Sequence, residues 1–219
     1  MNKKTLLLLA FALCLSALPL MSSDTFYSNL GPPGDVYDCC SGWTVSGTGT
    51  VGTSFTAANL FTSLISGSIS EIDVGVGYVT GTNSFYVALF TNNGNLPGTQ
   101  LGRWDNLSSS QSFGGCCGLV TITGISGVTL TAGEDFWLVM GPEHLTDTTW
   151  EAWNWNNQGD TVLDLYSTDG GGTWNSNGLQ PAGAGAIIGT STVPEPSSLL
   201  LFGSGLIGAV GVLRRKINL

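Results

Sequence analysis

Four cysteines of the central region stand as two adjacent pairs, Cys39-Cys40 in DCCSGW and Cys116-Cys117 in GGCCGL. In an oxidising compartment such thiols pair as disulfides, and four of them allow three connectivities. Two links crossing between the dipeptides would close a loop of about 77 residues, worth roughly 4 kcal/mol in the chain-entropy description. That arrangement is the favoured expectation. Pairing within each dipeptide strains the intervening peptide bond and ranks second. A Cys₄ zinc site ranks third, because structural zinc sites space each pair by two to four residues rather than none. No metal, cofactor or catalytic residue is assigned.

Other residue groups invite weaker chemistry. Trp150, Trp153 and Trp155 in TTWEAWNWNNQGD form the densest aromatic group. Exposed, they would stack on the apolar faces of sugars while Asn154, Asn156 and Asn157 bond hydroxyls, making a glycan-binding strip. The favoured alternative is that the period-2 placement of Trp153 and Trp155 turns them into a core. Asp160, Asp164 and Asp169 offer oxygens to a Ca²⁺ ion, but their spacing does not match the EF-hand loop, so solvated turn carboxylates are expected. His144 is the single histidine and has no G-x-S-x-G or H-E-x-x-H context. Glu134-Asp135, or Glu143 with Glu151, supply the carboxylates of a glycosidase, whose mechanism depends on a separation that sequence does not give.

These groups must be carried by strands. Between residues 24 and 192 helix-period stretches are absent. Short alternating or β-branched and aromatic runs recur instead, at Ser68 to Val79, Phe85 to Thr91, Leu119 to Thr123, Phe136 to Met140 and Ala186 to Thr190. Asn92-Asn93-Gly94-Asn95 and Leu96-Pro97-Gly98-Thr99 mark turns. Many short strands without a long internal repeat predict an all-β antiparallel β-sandwich or jelly roll.

Charge separates this body from its ends. The chain of 219 residues has net charge −9, yet over residues 24–196 Arg103 is the only basic side chain against all fifteen acidic ones, a charge of −14. Nucleic-acid binding by phosphate neutralisation is excluded on that count. The remaining basic residues flank apolar ends. Lys3 and Lys4 precede the run Leu6 to Leu18, the pattern of a secretory signal peptide over residues 1–23. Cys14 invites a lipoprotein reading, but bulky Leu13 before it argues for an ordinary h-region residue. At the other end, Val193-Pro194-Glu195-Pro196 is followed by an apolar segment, about 197–213, and then by Arg214, Arg215 and Lys216. As a helix, residues 198–213 would rise roughly 24 Å, a marginal span against a hydrocarbon core of about 30 Å. The basic cluster would stay cytoplasmic and leave the body outside.

This tail closely resembles the PEP-CTERM protein-sorting signal of Gram-negative bacteria, through Pro194-Glu195-Pro196, the short apolar segment and the Arg214 to Lys216 end. The resemblance implies recognition by an exosortase, a membrane transpeptidase-like enzyme, with a membrane-anchored intermediate before the body reaches the cell surface or extracellular matrix. The body resembles the choice-of-anchor R family through YSNLGPPGDVYDCCSGWTVSG (27–47), VALFTNNGNLPGTQL (87–101) and LTAGEDFWLVM (130–140), although the vicinal cysteines are not part of that pattern. That likeness implies an exported domain of unassigned biochemical role, with no active site to transfer. The reading that follows is a non-catalytic structural or interaction protein of an exopolysaccharide-bearing envelope, with extracellular polysaccharide as its expected partner. Ser167-Thr168-Asp169-Gly170-Gly171-Gly172-Thr173-Trp174 resembles the Asp-box of sialidases, which implies a hairpin turn braced by Ser and Asp above a packed Trp, and no sialidase activity from a single copy.

Overall fold

The computed structural model describes residues 23–192, with residues 203–205 and 208. The expected signal peptide thus falls almost wholly outside the described residues. So do Val193 to Pro196, Arg214 to Lys216 and most of the expected 197–213 helix. Among the described residues no helix is long and apolar enough to cross a membrane.

Ser23–Thr192 forms one unit of antiparallel strands. These are β1 (Asp24–Ser28), β2 (Gly42–Ser46), β3 (Thr56–Thr62), β4 (Gly67–Thr80), β5 (Phe85–Asn92), β6 (Pro97–Leu107), β7 (Leu119–Thr123), β8 (Thr129–Leu130), β9 (Asp135–Pro142), β10 (Trp150–Asn154), β11 (Thr161–Ser167), β12 (Asn175–Pro181) and β13 (Gly185–Ser191). A single helical turn, α1 (Thr48–Val51), interrupts them. One sheet runs β1-β13-β4-β10-β2, with β7 and β8 also paired to β4, and the other runs β12-β11-β3-β9-β5-β6.

All five expected strand runs lie within strands, because their β-branched and aromatic residues fit a pleated, half-buried surface. Central strands of the second sheet bury both faces. Phe85, Val87 and Leu89 of β5 and Phe136, Leu138 and Met140 of β9 enter a core cluster shared with Ile72, Val74 and Val76 of β4. Tyr86, Ala88, Trp137 and Val139, the alternate residues, form a second cluster on the opposite face. Strand β4 is irregular against both neighbours, with Val79 as an extra residue opposite β10 and a second break opposite β13. Ile188 pairs Glu71 and Gly189 pairs Ile69, which leaves Ser70 as an extra residue. That bulge lets Ile69 and Ile72, three apart, both enter the core despite the period of two.

The first expected turn is present: Asn93 and Leu96 exchange backbone hydrogen bonds, with Gly94 and Asn95 at φ 63° and 64°. The second is not. Pro97 pairs Asn92 and opens β6, the last strand of its sheet, where a missing N–H costs no ladder bond.

Candidate functional site

The turn after β1 brings the cysteines together. Tyr37 is 1 % exposed beneath Gly75 of β4, and its hydroxyl donates to the Gly118 carbonyl at 2.9 Å. Gly114 N–H donates to the Cys39 carbonyl at 2.8 Å. These bonds hold the 37–40 turn against the 114–118 loop. Cys116 makes disulfide contact with Cys39 (Cα–Cα 5.5 Å) and with its neighbour Cys117, while Cys39 Sγ lies 3.8 Å from Cys117 Sγ. Cys40 is free and exposed. Of the two crossing links expected, the fold therefore presents one, between Cys39 and Cys116. The backbone N–H of Cys40 is held by Asp38 Oδ1 at 2.9 Å, and its thiol lies outside the cluster made by the sulfurs of Cys39, Cys116 and Cys117.

The tryptophans do not share one exposed strip. Strand β10 lies between β2 and β4, with Trp153 opposite Trp43 and Val76. Trp153 is fully buried and donates from Nε1 to the Ala184 carbonyl at 3.0 Å. Trp150 and Trp155 are half-buried, and the Trp155 ring stands 5.3 Å from that of Trp43. The neighbouring asparagines brace the backbone. Asn154 donates to the Asp38 carbonyl, Asn156 to those of Asp160 and Ala182, and Asn157 to that of Asp35.

The Ser167–Trp174 segment is the hairpin turn between β11 and β12, as its resemblance implied. Ser167 Oγ donates to Asp169 Oδ1 (2.7 Å) and accepts from Gly171 N–H (2.8 Å). Asp169 also accepts from the Thr173 N–H and hydroxyl, each at 2.8 Å. The Ser167 hydroxyl and both Thr173 donors hold its carboxyl down at about 2. Gly170 and Gly171 supply φ of 75° and 97°, and Trp174 packs on the second cluster. Asp164 is also committed: its oxygens accept from Asn59 Nδ2 at 2.7 Å and Asn177 Nδ2 at 2.6 Å. The Asp160–Asp164–Asp169 set does not appear among close groupings of potential metal ligands; among the described residues that grouping is Cys39, Cys116 and Cys117.

Of the candidate acids, Glu151 is 0 % exposed and neither carboxylate oxygen has a hydrogen-bond partner. Burial pushes its pKa up to about 8. A solute outside the fold does not reach it. Its parity with core residue Trp153 two positions on was the sequence signal for this burial. Glu143 accepts from the Asn106 N–H and lies 3.8 Å from Arg103 Nη2. Burial raises its pKa, and the charge of Asp105 adds to the rise. Arg103 also pairs with Asp105 at 2.6 Å and lies 3.5 Å over the Tyr86 ring, so the body's single cation is fully used. Glu134 and Asp135 stand at the entry to β9, where Asp135 accepts from the Thr62 hydroxyl at 2.6 Å. His144 is an exposed turn residue whose N–H donates to Asp147 Oδ2.

A cleft of about 390 Å³, absent from the sequence reading, opens among Tyr27, Phe61, Leu64 and Leu163. The Tyr27 and Phe61 rings lie 4.9 Å apart. Its remaining polar lining, Ser28 and Thr62, is engaged within the chain: Ser28 Oγ accepts from Leu30 N–H.

The family model of the PEP-CTERM protein-sorting motif matches residues 192–216. A search of curated proteins found no match. Among solved structures, a chain from "Crystal structure of the T13 IBDV viral particle reveals a missing link in icosahedral viruses evolution" is similar at 13 % identity and a TM-score of 0.25, over 80 % of this chain and 40 % of that one. This chain thus spans 40 % of the length of that viral chain, and a likeness so low carries no argument. The sorting motif supports exosortase-dependent sorting of an exported surface protein.

Proposed function

We propose that the body is a non-catalytic β-sandwich of the choice-of-anchor R type, released or transferred at the PEP-CTERM tail and kept at the cell surface or in the extracellular matrix. The observation that carries this reading is the place of the motif. Its match begins at Thr192, one residue beyond the end of β13, where Thr192 N–H still donates to the Ser66 carbonyl at 3.0 Å. The sorting signal therefore starts directly after the last strand among the described residues. The polar groups of the body support a structural role, since Asn156, Asp164, Asp169 and Arg103 are all spent on internal bonds. A charge of −14 over residues 24–196 favours solubility and tolerance of cations.

Intact mass of the protein from its native host tests the reading. Loss of both the leader and the residues after the motif is expected. Mature protein that still contains Arg214 to Leu219 would make the tail a permanent membrane anchor instead.

A carbohydrate-binding role is the second reading, favoured by the half-buried Trp43–Trp155 pair. It would use Trp150 and Trp155 with Trp153 as their support in the core. Failure of the intact body to bind any glycan on an array would remove it.

A further inference from the structure

A sulfur atom forms one disulfide bond, yet the fold puts Cys116 in disulfide contact with both Cys39 and Cys117. Two pairings are therefore open to one arrangement of the backbone, and each leaves a thiol over. If Cys116 bonds Cys39, Cys117 is free; if it bonds Cys117, Cys39 is free. Further contacts hold the turn and the loop together independently of either bond. The Tyr37 hydroxyl to Gly118 and the Gly114 N–H to Cys39 tie the turn to the loop without any sulfur. The Tyr37 carbonyl lies 3.6 Å from Cys39 Sγ and 3.7 Å from Cys116 Sγ. Opening the cross-link would thus not separate the reacting atoms, and the leaving Cys39 remains 3.8 Å from Cys117.

We propose that Cys39, Cys116 and Cys117 form a thiol–disulfide exchange site on the surface of the exported body, with Cys116 as the shared sulfur and Cys40 as a standing free thiol beside it. Starting from the Cys39–Cys116 link, the Cys117 thiolate attacks Cys116 Sγ. The Cys116–Cys117 bond forms, the Cys39–Cys116 bond breaks, and the electron pair leaves on Cys39. The proton given up by Cys117 is taken by Cys39 through solvent, so no oxidant or reductant is consumed. One state staples the N-terminal turn to the 114–118 loop across 77 residues; the other releases that staple and leaves Cys39 and Cys40 as adjacent thiols. Cys116 is exposed, so a small external thiol can also open the link and catalyse the same exchange.

The test maps the sulfurs of the exported protein, purified without reductant, quenched in acid, alkylated with N-ethylmaleimide and digested. Cys40 should be alkylated in every molecule. The remainder should divide between a Cys39–Cys116 peptide pair with Cys117 alkylated and a peptide closed at Cys116–Cys117 with Cys39 alkylated. Brief treatment with a trace of 2-mercaptoethanol should bring different preparations to one ratio. In Cys117→Ser the second species should vanish and alkylation of Cys39 should fall about tenfold or more. Cys40 bonded to Cys117 beside a Cys39–Cys116 link would overturn the proposal. So would a single pairing that the small thiol leaves unchanged. The wild-type ratio decides the matter even if the variant does not fold.

Discussion

Glu151 and Asp164 are two buried carboxyl groups in opposite sheets, and the fold treats them differently. Asp164, 1 % exposed, accepts from Asn59 and Asn177. Asn59 in turn accepts at Oδ1 from the Gly183 N–H, which ties β3, β11, β12 and the approach to β13 into one polar link. Glu151 on β10 has no partner for either oxygen. Burial raises both pKa values, to about 6 for Asp164, where the Asn177 and Asn59 bonds oppose it, and to about 8 for Glu151, where nothing does. The same cost of burial is partly offset in one site and fully felt in the other. Asp164 thus belongs to a fastening, whereas Glu151 is a liability once the pH exceeds the ordinary carboxyl pKa of 4.5.

The largest effect expected from this contrast is in Asp164→Ala. Removing the carboxylate strands the buried Asn59 amide and releases the exposed Asn177 amide to solvent, and should cost about 2–3 kcal/mol, read as a lower urea midpoint. A loss within error would mean that the asparagines find other partners and the contrast is false.

Glu151→Gln should act in the opposite direction. The folded pKa of about 8 lies above the ordinary 4.5, so the folded state holds an extra proton. Its stability is complete below about pH 4.5 and declines as pH rises towards 8. The amide abolishes that decline, so the variant should be roughly 2–3 kcal/mol more stable at pH 7 and equal to wild type near pH 4. Destabilisation at pH 7 would reveal a partner for the carboxylate.

A smaller effect separates the two titrations within one molecule. In Glu151→Gln the remaining decline should come from Asp164, between about pH 3.8 and about 6, and from Glu143, whose pKa burial also raises above 4.5. Denaturation midpoints across pH would measure it, and a decline persisting to pH 8 would assign the upper window to another group.

The smallest effect is expected at Asp169, an exposed carboxylate. Its pKa is lowered, so its contribution is present above pH 3.8 and lost as pH falls towards about 2. Asp169→Asn should loosen the hairpin turn, seen as faster proteolytic nicking between Gly170 and Gly172 with little change in the urea midpoint. A shift as large as that of Asp164→Ala would place the turn with the buried fastenings.

The strands were legible because their cause is local. Phe85 to Thr91 and Phe136 to Met140 carry the aromatic and β-branched residues that suit a pleated surface, and Asn93-Gly94-Asn95 carries the residues that tolerate positive φ. The Asp-box hairpin was legible for the same reason, since Ser167, Asp169 and Thr173 bond only their own turn. Pro97 misled because the same residue opens a turn or an edge strand, and the difference lies in whether another strand continues the ladder. The cysteines were half legible. Their number and spacing point to a link across the chain, but direction at adjacent positions depends on how Tyr37 seats the turn beneath Gly75. Trp150, Trp153 and Trp155 formed a strip in sequence, and only the seating of β10 between β2 and β4 put the middle ring inside.

The sequence alone determined the acidic body, the recurrent strands and turns, and the sorting tail, because composition, period and short motifs act through neighbouring residues. Tertiary structure alone decided which sulfurs meet, which tryptophan is covered, and why one buried carboxylate has partners and the other none. Those outcomes depend on residues brought together from far along the chain, across 105 positions in the Asn59–Asp164 bond and 124 in the Asn59–Gly183 bond. Such contacts follow from the register of several strands at once, and no local pattern encodes them.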